Sequence, residues 1–183
     1  QNKINKKFVY LISPNKISNI NFYDDLALVL SSKKISFFQL RLKKETNLNK
    51  LIIGKKIKKI CNKYKVKFLI NDDPLLAKKL NADGCHLGQK DMDLIKARKI
   101  LKNKIIGVTC HNSINLAKRA IKDGADYLAF GAFYATKTKT VKYRASLTVL
   151  KSIKKITSLP IVAIGGIKLN NYKKLLLNKA NFL

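Results

Sequence analysis

Acidic residues are scarce in this sequence: 10 aspartates and glutamates stand against 39 lysines and arginines, a formal net charge of +29. Tryptophan is absent, and there are only three cysteines. Because the cysteines show neither metal-ligand spacing nor an evident pairing, we expect reduced thiols in the core of a cytoplasmic protein. No run of eighteen apolar residues occurs and no secretory signal is recognisable, which argues against a membrane protein.

The positive charge raises nucleic-acid binding as one possible function. However, the lysines are spread along nearly every predicted helix, and few aromatic residues stand near basic clusters to stack on bases. Lysine, asparagine and isoleucine are also the residues that an AT-rich genome favours. We therefore expect no specific nucleic-acid partner, and the oligomeric state does not follow from the sequence.

The segment 67–91 reads as a strand, a helix and a second strand, with a carboxylate after each strand. Asp72 follows the apolar run 67–70, and Asp91 follows the strand 85–87. Parallel strands in such a unit end on the same side, so we expect Asp72 and Asp91 on one rim. Two carboxylates there suit Mg²⁺. Solvated loop acids or helix caps are equally compatible with this spacing.

Alternation in the segment 37–43 predicts a strand with three polar side chains on one face. Gln39, Arg41 and Lys43 share that face, opposite Leu40 and Leu42. At the C-terminal end of a barrel strand, Arg41 and Lys43 would form a clamp for an anion.

Alternating threonine and lysine over 136–140 predicts a phosphate-binding loop, although a segment of this composition is more commonly a solvated loop.

Seven strand-then-helix units followed by the start of a strand predict a TIM barrel, a (β/α)₈ fold, as a single domain over residues 1–183. Strand eight is expected at 180–183 and is truncated at the C-terminus. Polar residues at successive strand ends favour the barrel over a doubly wound open sheet. The predicted strands are 8–13, 37–43, 67–70, 85–87, 104–110, 127–133 and 160–164, and the last two predicted helices are 144–158 and 169–179.

Seven short motifs occur in order along the chain. They are QLRLK at 39–43, INDDP at 70–74, ADGCHLGQKD at 82–91, GVTCH at 107–111, GADY at 124–127, TKTK at 136–139 and AIGGI at 163–167. Together they strongly resemble the thiamine-phosphate synthase family, and the match covers nearly the whole chain.

The resemblance implies an Mg²⁺-dependent transferase of thiamine biosynthesis that acts on small molecules. It would join hydroxymethylpyrimidine diphosphate to a thiazole phosphate, giving thiamine phosphate and pyrophosphate. Asp72 and Asp91 would hold Mg²⁺. Binding of the pyrimidine diphosphate is implied for Gln39, Leu40, Arg41, Leu42, Lys43, Asn71, Thr109 and Lys139. Binding of the thiazole phosphate is implied for Thr136, Lys137, Thr138 and Gly166. Arg41, Lys43 and Lys139 would stabilise the leaving pyrophosphate, so no nucleophile is needed and His86 and His111 are expected to be structural.

The sequence departs from the family pattern at three places. Thr109 replaces the usual serine and keeps the hydroxyl, while Ala135 replaces a proline that commonly precedes the first threonine. The sequence also stops before the family's Val/Ile-Ser pair after strand eight, which contributes to the thiazole phosphate site.

Two other functions remain compatible with the resemblance. One is a thiazole tautomerase, a paralogue on the same fold in which His111 would transfer protons. The clamp at 39–43 and the Asp72/Asp91 pair favour the synthase, because a tautomerase has no pyrophosphate to hold. The other is an inactive truncated copy with non-specific affinity for nucleic acid.

Overall fold

The computed structural model describes residues 8–136 and 142–183, and in these residues strands alternate with helices along the chain. The strands are β1 (Val9–Ile12), β2 (Ile35–Leu40), β3 (Lys67–Asn71), β4 (Gly84–Leu87), β5 (Ile105–His111), β6 (Tyr127–Gly131) and β7 (Ile161–Ile164). The helices are α1 (Phe22–Ser31), α2 (Asn47–Lys63), α3 (Pro74–Lys79), α4 (Leu94–Leu101), α5 (Ile114–Lys122), α6 (Leu147–Lys154) and α7 (Tyr172–Leu177). This alternation, with parallel strand pairs, is a TIM-barrel-like fold, as the sequence predicts.

The chain divides into two compact units, residues 1–86 and 87–183. In the first unit, β1, β2 and β3 pair in parallel and in chain order. Asn71 at the end of β3 lies opposite His86. The largest fully buried side chains here include Phe38, Phe68 and Ile57.

In the second unit, β5, β6 and β7 also pair in parallel and in chain order. The side chains of Leu128, Phe130 and Ile153 are fully buried and form part of the core of this unit. After α7, Phe182 forms a parallel bridge with Val162 of β7. An eighth strand is predicted at this place.

Four helices of the described chain begin with a side-chain cap. The side chains of Thr46, Asp73, Asp93 and Ser113 each accept a hydrogen bond from a backbone N–H in the first turn of α2, α3, α4 and α5. Ser113 stands directly before α5, at the position where serine is a favoured cap. The sequence left open whether Asp72 and Asp91 are helix caps. The caps are instead Asp73 for α3 and Asp93 for α4.

Several predicted elements are longer than the observed ones, and three of them extend at least three residues too far at one end. β2 ends at Leu40 rather than at residue 43, since the N–H of Arg41 donates to the hydroxyl of Ser13 instead of continuing the sheet. The helix predicted over 144–158 begins only at Leu147, because the N–H of Ala145 donates to the carbonyl of Ala132. The last helix covers Tyr172–Leu177 rather than 169–179.

The cysteines Cys61, Cys85 and Cys110 are buried as reduced thiols, as predicted. Burial raises the pKa of Cys61 and of Cys110 to about 12, and the charge of Asp83 adds to the rise at Cys61. Both thiols are therefore neutral near pH 7 and unsuited to nucleophilic chemistry. Among the described residues, no helix is long and apolar enough to cross a membrane.

Candidate active site

In the first unit, the end of β2 presents the polar segment that the sequence predicts as a clamp. Gln39 is buried, with 2% of its surface exposed, and its Nε2 donates a hydrogen bond of 2.8 Å to the phenolic oxygen of Tyr10. Tyr10 in turn stacks on Phe37, with ring centroids 5.4 Å apart. The side-chain amide of Gln39 is thus held in one orientation by the neighbouring strand β1.

Arg41 follows directly after β2 and is half-buried. Its backbone N–H donates to Ser13 Oγ at 2.8 Å, and its guanidinium Nη1 donates to Asn15 Oδ1. In residues 8–136 and 142–183 no ion pair joins Arg41 to a carboxylate. Leu40 and Leu42, on either side of Arg41, have buried side chains and contribute to the core.

Lys43 and Asp72 form an ion pair, with Lys43 Nζ 2.6 Å from Asp72 Oδ2. Asp72 follows β3 and has a left-handed backbone with φ of 65°, a conformation that aspartate and asparagine tolerate better than most residues. Its N–H donates to the carbonyl of His86 at 2.8 Å. The contact places one predicted metal ligand beside one predicted phosphate ligand.

His86 is buried near this pair, with 5% of its surface exposed. Burial lowers the pKa of His86 to about 4, and the nearby charge of Asp72 only partly opposes the effect. The imidazole is therefore neutral near pH 7. A neutral, buried histidine is compatible with the structural role expected for His86.

In the second unit, Asp91 lies in the loop after β4 and Thr109 lies near the end of β5. Asp91 Oδ2 accepts a hydrogen bond of 2.6 Å from the N–H of Gly88. A Cβ atom at position 88 would lie 2.8 Å from the same oxygen, so a glycine suits this close approach. Gln89 Nε2 donates to the carbonyl of Thr109 at 2.6 Å.

The loop after β6 approaches the loop after β7. The N–H of Tyr134 donates to the carbonyl of Gly165 at 3.1 Å. Gly166 has a left-handed φ of 65°, and a Cβ there would lie 2.3 Å from the carbonyl oxygen of Ala135. Thr136 is the last residue before a gap in the described chain, and the predicted ligands Lys137, Thr138 and Lys139 lie outside the described residues.

The structure adds side chains that the sequence motifs did not single out. Asn171 Nδ2 donates to the carbonyl of Gly166, and Tyr134 donates its hydroxyl to the carbonyl of Asn171. Tyr143, which is also outside the motifs, stacks on His111 with ring centroids 4.3 Å apart. In the first unit, three further side chains contact predicted site residues; they are Tyr10, Ser13 and Asn15. All three lie in β1 or just after it, and the end of a barrel strand is the sequence feature that could have indicated them.

The residues present fit a magnesium ion held jointly with a substrate. No group of three or more histidine, cysteine, aspartate or glutamate residues that could hold a metal occurs in the described part of the chain. Mg²⁺ needs fewer protein ligands than this, because it commonly binds one or two carboxylates together with phosphate oxygens and water. Asp72 and Asp91 each offer carboxylate oxygens of the required kind.

Comparison with known proteins gives consistent matches. The family model for thiamine monophosphate synthase matches residues 9–183. The curated thiamine-phosphate synthase of Pelagibacter ubique is 97% identical over 183 residues, which cover all of this chain and 88% of that protein. The thiamine-phosphate synthase of Nitrosomonas eutropha is 40% identical over 169 residues, covering 92% of this chain and 79% of that protein.

A solved structure extends this agreement to the fold. The thiamine phosphate pyrophosphorylase of Pyrococcus furiosus superposes with a TM-score of 0.85 at 28% identity, covering 97% of this chain and 84% of that one. The family model, the near-identical relative and this solved structure agree, and the chain belongs to the thiamine monophosphate synthase family.

Proposed function

We propose that the chain is a transferase that joins hydroxymethylpyrimidine diphosphate to a thiazole phosphate, forming thiamine phosphate and releasing pyrophosphate. The observation that carries the proposal is the 97% identity to a thiamine-phosphate synthase along the whole chain. The geometry of the first unit supports it, because Arg41, Lys43 and Asp72 follow neighbouring strands β2 and β3, where a diphosphate and its metal ion would bind.

The reaction requires stabilisation of a leaving group. As the methylene carbon–oxygen bond breaks, its electron pair goes to pyrophosphate, and the electron-rich pyrimidine ring stabilises the cation that remains. The thiazole nitrogen then donates its lone pair to the methylene carbon and forms the new carbon–nitrogen bond. Arg41, Lys43 and Lys139 are proposed to bind the pyrophosphate oxygens, where fixed positive charge lowers the barrier.

Asp72 and Asp91 are proposed to hold Mg²⁺, which supplies further neutralisation of the diphosphate. In this arrangement, Lys43 is oriented by Asp72 at 2.6 Å. The Gln39 amide, fixed by Tyr10, is proposed to bind the pyrimidine substrate together with Asn71 and Thr109. No residue transfers a proton to carbon, which agrees with a neutral His86.

The thiazole phosphate is proposed to bind the loops that follow β6 and β7. Gly166 brings its backbone close to Ala135, and Thr136 lies next along the chain. Lys137 and Thr138 complete this proposed set. Binding here positions the thiazole nitrogen for attack, so these two loops contribute orientation rather than acid–base chemistry.

The proposed setting is the cytoplasm, with small-molecule substrates and no specific nucleic-acid partner. The reaction places the enzyme among transferases of alkyl groups other than methyl. The charge of +29 is expected to give only weak, salt-sensitive attraction to nucleic acids.

The test is formation of thiamine phosphate from the two purified substrates, with Mg²⁺ and with a chelator. Product that forms only with Mg²⁺ and both substrates supports the proposal. Absence of product from folded protein contradicts it. Conversion of the thiazole phosphate between tautomers without any pyrimidine substrate would instead identify the tautomerase.

A further inference from the structure

The segment that follows β1 makes two contacts with Arg41, the arginine of the proposed diphosphate clamp. Ser13 Oγ accepts the backbone N–H of Arg41, and Asn15 Oδ1 accepts a hydrogen bond from its Nη1. Ser13 is itself buried. The contacts join residues 28 and 26 positions apart in the sequence, so the pairing of β1 with β2 creates them.

The two cations of the clamp have different partners. Lys43 faces the carboxylate of Asp72, a negatively charged partner. Arg41 faces the neutral amide oxygen of Asn15. An amide oxygen orients a guanidinium group without cancelling its charge, whereas a carboxylate at the same distance would compete directly with an anionic substrate.

The contact with Asn15 also leaves most of the guanidinium available. Arginine has five N–H donors in a planar fork, and Asn15 engages the Nη1 end. Fixing one end of the fork reduces the rotamer entropy that Arg41 loses on binding, while the remaining donors can engage phosphate oxygens.

From this geometry we infer that Asn15 is a positioning residue for the pyrimidine diphosphate: it fixes the Arg41 guanidinium through a neutral acceptor, so that its charge remains available to the diphosphate. The inference rests on the proposed function, which assigns Arg41 to that substrate. It concerns one of the two substrates, since Asn15 contacts Arg41 and Arg41 is not among the residues proposed to bind the thiazole phosphate.

The decisive variant is Asn15→Asp, which keeps the size of the side chain and adds one negative charge beside Arg41. We expect its KM for the pyrimidine diphosphate to rise about tenfold, because the new carboxylate pairs with the guanidinium. The KM for the thiazole phosphate should change less than about twofold, because Arg41 is not among the residues proposed to bind that substrate. Asn15→Ala removes the acceptor without adding charge, and we expect a smaller rise of about threefold.

Asn19→Asp is the matched control. Asn19 lies four positions further along, is exposed, and its side chain accepts a hydrogen bond only from the backbone N–H of Asn21 among the contacts of the described chain. The variant adds the same charge to the same unit, so both its KM values should stay within about twofold of the wild type. Thermal unfolding followed by circular dichroism checks that each variant is folded, and Asn15→Ala carries the test if Asn15→Asp does not fold.

Equal KM values in Asn15→Asp and Asn19→Asp would overturn the inference, as would an equal rise for both substrates. Calorimetric binding of inorganic pyrophosphate separates this result from failure of the proposed function. If the wild type makes no thiamine phosphate, weaker pyrophosphate binding to Asn15→Asp than to Asn19→Asp still supports the role of Asn15. Equal binding overturns it.

Discussion

The two units orient their candidate site residues in different ways. In the first unit, side chains hold side chains: Tyr10 holds Gln39, Asn15 holds Arg41, and Asp72 holds Lys43. In the second unit, backbone groups and close glycine contacts predominate, as at Gly88 and Gly166. Among the described candidate residues, charge and side-chain hydrogen bonds therefore orient those of the first unit. Available space and backbone conformation determine the arrangement of the glycine-containing loops in the second.

The difference has a direct consequence for substitutions. In the first unit, an isosteric change can alter charge without moving the backbone. In the second, adding a single methyl group creates a contact that real Cβ atoms do not make, such as the 2.3 Å approach of position 166 to Ala135. We therefore expect the first unit to be most sensitive to substitutions that change charge. The second unit should be most sensitive to substitutions that add side-chain volume.

The largest expected effect is that of Asp72→Asn. Asparagine tolerates the left-handed backbone at this position but lacks the charge that pairs with Lys43 and is proposed to bind Mg²⁺. We expect turnover to fall roughly 100-fold to 1000-fold, the range seen when a major electrostatic contribution is lost. Steady-state assays over a range of Mg²⁺ concentrations measure it.

Asp73→Asn is the control for that variant, since it makes the same charge change one residue away. Asp73 caps α3 by accepting the N–H of Leu76, and asparagine caps a helix about as well as aspartate. Turnover within about twofold of the wild type is expected here. Similar turnover in the two variants would refute a special role for Asp72.

A smaller effect is expected from Gly166→Ala in the second unit. The new Cβ would meet Ala135 and Tyr134, and the left-handed φ of 65° adds strain. We expect the KM for the thiazole phosphate to rise about tenfold while that for the pyrimidine diphosphate changes little, because the loops after β6 and β7 must separate. Measuring both KM values in one series tests this.

Gly124→Ala separates packing from backbone strain. Gly124 also has a positive φ, of 92°, but nothing lies within 4 Å of a Cβ at this position. The variant should lower the free energy of unfolding by about 1 kcal/mol and leave both KM values unchanged. If Gly124→Ala raised the thiazole phosphate KM as much as Gly166→Ala, close packing at Gly166 would not be the cause.

The smallest expected effect is on stability, in Lys43→Gln. The Lys43 and Asp72 side chains are 49% and 25% exposed, so solvent screens their ion pair. We expect the free energy of unfolding to change by less than about 1 kcal/mol. The KM for the pyrimidine diphosphate should nevertheless rise severalfold, and denaturant titration alongside kinetics measures both quantities.

Lys67→Gln breaks a comparable pair in the same unit. Lys67 Nζ lies 3.3 Å from Asp83 Oδ1, with side chains 58% and 31% exposed. This variant should match the stability change of Lys43→Gln but leave KM unaltered. A large loss of stability in Lys43→Gln alone would mean that the pair is structural rather than functional.

Much of the fold could be predicted because its signals are local. Strand runs and helical periodicity indicated the order of elements, and Ser113 was recognisable as a cap from its position before an amphipathic segment. Element ends were less predictable. The alternation of side chains continues through Lys43, which predicts a longer β2, while the hydroxyl of Ser13 ends the strand at Leu40.

The motifs give the residues predicted for the site, but they do not indicate which groups hold those residues. Asn15 and Asn171 lie outside the motifs, and each is an ordinary loop asparagine by sequence alone. Their contacts with Arg41 and with the carbonyl of Gly166 depend on how strands and loops approach in three dimensions.

By itself, the sequence determined the β–α alternation, the buried faces of the strands and the family to which the chain belongs, because these depend on neighbouring residues and on residue types at fixed spacing. Only the tertiary structure decided that Arg41 faces an amide while Lys43 faces a carboxylate. The partners are separated by 26 and 29 residues, and parallel strand pairing brings them together.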